Sequence, residues 1–126
     1  MSYFAPNPTA YSGKSVGDGQ CVAYVRAASM APHTSSWRRG PLVKSVSTIT
    51  RGTVIATFDD NGRYGSRKDG SSHTAIYLSR TAGGIVVMDQ WVNKNGSLHA
   101  PQQRTIHFGR KAGSKVNDGD NYYVVE

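Results

Sequence analysis

The amino-acid sequence predicts an α+β fold in which one N-terminal helix packs on an antiparallel sheet of about five strands. Two observations support this prediction. The chain has a single stretch with helical spacing, and the residues after it alternate short β-branched stretches with Gly-rich turns. The chain of 126 residues is long enough for one domain, and we expect residues 1–126 to form it.

The helix is expected at about residues 19–30. Residues 1–17 are rich in Pro, Asn, Ser and Gly without periodicity, and they predict an irregular lead-in. Apolar residues then recur at helical spacing, with Asp18 placed to cap the first turn and Pro32 unable to continue the helix. This assignment places Cys21 in the first helical turn.

The strands are expected where β-branched and aromatic residues cluster between turn signals. A short helical turn at about 42–45 precedes them. The five expected strands cover about residues 53–58, 73–79, 85–91, 104–108 and 122–125.

Composition limits the possible functions. Fifteen Lys and Arg against eight Asp and Glu give a net charge of +7, which indicates an anionic partner such as nucleic acid, a membrane surface or an acidic polymer. No apolar stretch is long enough to cross a membrane, so we expect no membrane insertion. The N-terminal residues lack the apolar core of a secretory signal, and we expect synthesis in the cytoplasm without one. A single cysteine excludes an internal disulfide and a four-cysteine zinc site.

Cys21 is the candidate nucleophile. Backbone N–H groups and the helix dipole at a helix N-terminus favour a thiolate over a thiol. Those N–H groups can also stabilise the negative charge of an acyl-transfer intermediate. The alternative is that Cys21 is a small buried apolar residue, which is the commoner role for a lone cysteine.

A nucleophilic cysteine needs a nearby base, and the chain has four histidines. His33 follows the helix in a polar loop, His99 lies in an irregular segment, and His107 lies in a short strand whose faces are not distinguished. His73 differs because a Gly/Ser loop leads there into a strand, and strand ends often carry catalytic side chains.

Strand alternation suggests a partner for His73. A hairpin turn near residues 81–83 that pairs Ala75 with Asp89 would place Asp89 on the same face as His73. A register shifted by one residue would place Gln90 or Met88 there instead. Asp89 is therefore the favoured orienting group and Gln90 the alternative.

Three short motifs occur in this order: G-D-G-Q-C-V-A-Y-V-R, S-H-T-A-I-Y-L and V-V-M-D-Q-W. Together they resemble the CHAP and NlpC/P60 superfamily of papain-like cysteine amidases. Within that superfamily the chain looks most similar to the type VI secretion amidase effectors, in the group that has domesticated relatives in arthropods. The resemblance implies that Cys21 is the nucleophile, His73 the base and Asp89 the orienting residue.

The resemblance also implies a biological role. It suggests a single cysteine amidase domain that cuts peptidoglycan stem peptides, at the D-alanine–diaminopimelate cross-link, without metal or cofactor. Gln20, Gln90 and Trp91 become the candidate oxyanion and substrate-binding residues. The protein would be a monomeric antibacterial toxin, delivered by type VI secretion to the target-cell periplasm and paired with an immunity protein.

Two other functions stay open at the level of sequence. A basic, non-catalytic module could bind nucleic acid or glycan, although no nucleic-acid-binding signature is evident and we expect no nucleic-acid partner. The same three residues could also transfer an acyl group to an amine or deamidate glutamine.

Overall fold

A computed structural model describes residues 2–126 and contains, within that range, one α-helix and one six-stranded sheet. The predicted α+β class is confirmed, with one strand more than expected. The helix α1 spans Cys21–Ser29, and the strands are β1 (Arg39–Leu42), β2 (Val54–Ala56), β3 (Thr74–Thr81), β4 (Gly84–Val92), β5 (Leu98–His107) and β6 (Tyr123–Val125). Every strand pair is antiparallel, in the order β1-β6-β2-β3-β4-β5.

The helix is shorter than predicted, and its N-cap is Gln20 instead of Asp18. The Asp18 carboxylate accepts the Gln20 N–H at 2.9 Å, which forms a turn before the helix and not a cap on it. Gly19 separates the two residues at φ +84°, a left-handed conformation that ends any helical path from Asp18. At the other end Met30 also adopts a left-handed conformation, and its N–H bonds to the Arg26 carbonyl.

Two strand predictions were wrong at the sheet edges. The sequence R-G-P-L forms β1, which pairs only with β6, and β5 begins six residues earlier than expected, at Leu98. Both strands contain proline, which usually argues against a strand. Each lies at an edge of the sheet, where a residue without an N–H is tolerated. His99 therefore lies in a strand and not in an irregular segment. The predicted turn at 42–45 is a single helical turn at Val43–Ser45.

The register of the β3–β4 hairpin changes along its length. Near the turn, Thr81 pairs with Gly84 and Arg80 with Ile85, but further from the turn Tyr77 pairs with Val87 and Ile76 with Met88. A bulge between Tyr77 and Ser79 inserts one extra residue into β3. The register beyond it is the predicted one, with Ala75 opposite Asp89.

Each face of the sheet packs against its own cluster of buried residues. On one face, Tyr24 and Val25 of α1 pack with Ile76, Leu78 and Met88. The lead-in also joins this cluster, as Tyr11 stands edge-on to Tyr24, whose hydroxyl donates to the Pro8 carbonyl. On the other face, Ala75, Tyr77 and Val87 pack with residues that include Val43 and Tyr122. Among the described residues, none of the helices has the length and apolar character to span a membrane.

Candidate active site

The loop before α1 is held in place by a buried glutamine. Gln90 is fully buried; its Oε1 accepts the Val16 N–H at 3.0 Å, and its Nε2 donates to the Val16 and Gln20 carbonyls at 2.8 Å each. Gly19 allows this loop to pass close to β4 and β5, since a Cβ there would lie 2.7 Å from Leu98. Gln90 was the alternative partner of His73 and a candidate substrate contact, but its buried amide bonds instead to the backbone of Val16 and Gln20.

His73 and Asp89 meet at the end of the sheet next to the helix N-terminus. Nε2 of His73 lies 2.7 Å from Oδ2 of Asp89, and both residues are buried. Strand alternation places this pair on the face of Ala75 and Val87, opposite the face that the helix body covers. Cys21, at the start of α1, is within hydrogen-bonding reach of His73, which directly precedes β3. The structure thus brings the three predicted residues together.

The charges of the three groups support one another. Burial alone would raise the pKa of the Cys21 thiol, but other contacts outweigh burial and lower this pKa. These are the hydrogen bond and charge of His73, together with hydrogen bonds from Tyr64 and the Thr74 backbone. Burial would likewise lower the pKa of His73, yet hydrogen bonds with Asp89 and Cys21 raise it to about 9. Because Nε2 bonds to Asp89, Nδ1 is the ring nitrogen available to the sulfur. The arrangement favours a thiolate paired with an imidazolium.

Asp89 has a second partner that sequence reasoning missed. Arg104 on β5 donates from Nε to both carboxylate oxygens, at 3.1 Å and 2.9 Å, and its Nη2 lies 2.8 Å from Oδ2. Burial would raise the pKa of Asp89, but His73 and Arg104 together hold it below its usual value. A possible signal was the pairing of β4 with β5, which places Arg104 opposite Val87 on the face of Asp89.

Tyr64 is the other residue that sequence reasoning missed. It lies in the polar loop between β2 and β3, and its hydroxyl is 3.5 Å from Sγ of Cys21. Its ring packs on Trp37 at 5.1 Å between centroids. Trp37 itself is buried and donates from Nε1 to the Pro32 carbonyl. It therefore packs against Tyr64 from within the core and does not line the site. No local pattern in a Gly-rich loop identifies such a contact.

Trp91, one of the candidate substrate-binding residues, lies beside the His73–Asp89 pair. Its ring is edge-on to His73 at 6.3 Å and stacks on His99 at 3.5 Å. The guanidinium of Arg104 lies 4.8 Å from the Trp91 ring centroid. Trp91 therefore packs between the buried His73 and the half-exposed His99 on the edge strand β5.

Gln20 and the remaining histidines have no demonstrated part in the site. The Gln20 side chain does not cap the helix, while its carbonyl accepts from Gln90. His33 is exposed and bonds within its own turn, and His107 is exposed on β5. In residues 2–126, no group of three or more His, Cys, Asp and Glu residues has the arrangement that could hold a metal ion.

An open cleft of about 760 Å³ extends from Arg104 along the segment that follows β5. Its lining includes Arg110 and Lys111, both exposed, together with His107 and Asn117. Part of the excess positive charge of the chain is thus concentrated next to the residue that contacts Asp89.

Comparison with known proteins finds amidase effectors among the relatives of this chain. The chain is 35% identical over 114 residues to a type VI secretion amidase effector 2 protein of Salmonella typhi, an alignment covering 85% of this chain and 84% of that protein. It is 33% identical to domesticated amidase effector 2 of Ixodes scapularis, over 95% of this chain and 82% of that protein. The solved structure of a type 6 secretion amidase effector 2 superimposes with a TM-score of 0.83 at 30% identity, covering 98% of this chain and 94% of that one.

These matches confirm the papain-like α+β fold and the resemblance to amidase effectors that the three sequence motifs indicate. Residues 2–125 match the profile of the family described as domesticated amidase effector 2. The chain therefore belongs to the domesticated amidase effector 2 family.

Proposed function

We propose that this protein is a cysteine amidase that hydrolyses peptide bonds in Gram-negative peptidoglycan. The observation that supports the proposal most is the buried contact of 2.7 Å between His73 and Asp89 next to a thiol of lowered pKa. The relatives from Salmonella typhi and Ixodes scapularis are both named as amidase effectors, which gives the reaction class.

The reaction proceeds through a covalent intermediate. His73 takes the thiol proton, and the Cys21 thiolate attacks the carbonyl carbon of the scissile amide. The carbon–nitrogen bond breaks as the His73 imidazolium gives its proton to the leaving amine. Water then attacks the thioester while His73 takes a proton from it, and the carbon–sulfur bond breaks to restore Cys21. Asp89 holds the imidazole ring in orientation throughout.

The negative charge of the tetrahedral intermediate needs hydrogen-bond donors. The Cys21 N–H is in the first turn of α1, where backbone N–H groups have no partner within the helix. The Tyr64 hydroxyl, 3.5 Å from the sulfur, is the second donor that we assign. Because burial and the nearby Cys21 raise the pKa of Tyr64 well above its usual value, the hydroxyl keeps its proton and remains a donor.

For the substrate we assign the D-alanine–diaminopimelate cross-link, as the similarity to type VI effectors suggests. Stem peptides that contain diaminopimelate carry free carboxylates, and the cleft with Arg110 and Lys111 offers them complementary charge. In this proposal the protein is a monomeric toxin delivered by type VI secretion to the periplasm of a target cell. The cell that makes it holds an immunity protein against it.

The deciding experiment compares wild type with Cys21→Ala on isolated sacculi. Mass spectrometry of the soluble products should show cross-linked dimers converted to monomers by wild type only. Thermal unfolding should give nearly equal midpoints, because Cys21 is only half-buried. Full activity of Cys21→Ala would refute the mechanism, and unchanged dimers beside other products would refute the assigned bond. Repeating the digestion with an added amine separates hydrolysis from acyl transfer.

A further inference from the structure

Arg104 is the second cationic partner of the buried Asp89 carboxylate. Its guanidinium contacts both oxygens of Asp89, and Oδ2 also contacts Nε2 of His73. Asp89 is fully buried, whereas 26% of the Arg104 side chain is exposed. Arg104 therefore stands between the buried carboxylate and solvent, with the ring of Trp91 4.8 Å from its Cζ atom.

The catalytic cycle explains why a second cation is needed at this position. His73 is charged in the resting pair and neutral after it has given its proton to the leaving amine. At that stage a fully buried Asp89 without another cation would be an unpaired charge, which is costly and is relieved by taking up a proton. A guanidinium remains charged at all relevant pH values and has no proton to give.

We propose that Arg104 is a positioning residue whose two-pronged contact holds the Asp89 carboxylate in the plane that keeps Oδ2 on Nε2 of His73 throughout the reaction. This inference rests on the proposed function of the same site. Arg104 acts through Asp89, and no proton or bond is transferred to it.

Two substitutions separate the geometry of the contact from its charge. Arg104→Lys keeps the charge but loses the planar fork, and we expect kcat on a cross-linked muropeptide to fall on the order of 10-fold. Arg104→Gln loses both, and the fall should reach roughly 100-fold. The matched control is Arg80→Gln, which also removes a half-buried arginine. Arg80 bonds to the Val43 and Val46 carbonyls, outside the site, so kcat should stay near the wild-type value.

The pH profiles distinguish this role from a purely structural one. Removing a positive charge near Cys21 and His73 disfavours the thiolate and favours the imidazolium, so both pKa values should rise in Arg104→Gln. The pH at which iodoacetamide begins to alkylate Cys21 should therefore move upward, and so should the alkaline limb of hydrolysis. Arg104→Lys and Arg80→Gln should leave both positions near those of wild type.

A double-mutant cycle tests whether Arg104 acts through Asp89. In an Asp89→Asn background, Arg104→Gln should cause little further loss, and the double variant leaves no buried charge unpaired. The proposal is overturned by full kcat in Arg104→Lys, by unmoved pH profiles in Arg104→Gln, or by equal losses in both backgrounds. Alkylation of the single cysteine needs no substrate. It therefore tests Arg104 even if wild type fails to cut muropeptides, which would be a failure of the proposed function alone.

Discussion

Replacing Gln90 with leucine should destabilise the protein, because the Gln90 amide joins β4 to the loop that leads into the helix. Leucine is similar in size but removes three hydrogen bonds, two with Val16 and one with the Gln20 carbonyl. At roughly 1 kcal/mol for each bond, the free energy of unfolding should fall by about 3 kcal/mol. A domain of this length loses about 4 °C of Tm per kcal/mol, so the expected shift is about 12 °C.

The assay is thermal unfolding followed by circular dichroism, with urea unfolding as a second measure of the free energy. Gln103→Leu is the matched control, because Gln103 lies exposed on β5, where a substitution should change stability by less than about 0.5 kcal/mol. Folded Gln90→Leu should also alkylate Cys21 more slowly near neutral pH, because the helix start is no longer held beside His73. A Tm equal to that of the control would refute the reasoning. Lost activity at an unchanged Tm would point instead to a direct role of Gln90 in the site.

Three further outcomes are expected. Hydrolysis should decline as pH rises through about 9, because His73 there loses the proton that the leaving amine needs. Asp89→Asn should move this alkaline decline to lower pH, because Asp89 raises the pKa of His73. A decline at the same pH in the variant would contradict the assignment. Tyr64→Phe should raise the pKa of Cys21, measured by the pH dependence of alkylation. It should also lower kcat/KM roughly 10- to 100-fold. A kcat/KM equal to that of wild type would exclude Tyr64 as an oxyanion donor. Arg110→Glu should weaken binding to sacculi at low salt, where charges are least screened. The Tm should stay unchanged, because Arg110 is exposed. Binding equal to that of wild type at low salt would exclude the cleft as the contact surface.

Sequence reasoning located those parts of the site that depend on local structure. Cys21 follows a Gly-rich turn into a helix, and His73 begins a strand, so their positions follow from turn chemistry and strand propensity. Asp89 followed from strand alternation once the hairpin was assumed. Each of these inferences needs only residues close in sequence or paired across one turn.

The missed residues depend on tertiary packing. Tyr64 lies 43 residues from Cys21 in a loop without regular structure, and only its packing on Trp37 brings its hydroxyl to the sulfur. Arg104 lies in a predicted strand, but its contact with Asp89 depends on that strand pairing with β4 in a particular register. For Gln90, alternation indicates the face of the sheet but not the loop that the amide bonds.

The single extra residue between Tyr77 and Ser79 determines which side chain of β4 stands next to His73. If the pairing at the turn continued unchanged, Asp89 would lie opposite Ile76, and Gln90 would take its place on the face of His73. The bulge lies about 17 Å along the strand from His73, at 3.4 Å per residue. Pairing that residue regularly, with no bulge, would exchange an acid for an amide in the site without altering any site residue, whereas deleting it would remove the bulge and keep Asp89 in place. Among relatives of this protein, changes in hairpin length should therefore come in pairs, or be offset by the loss or gain of a bulge.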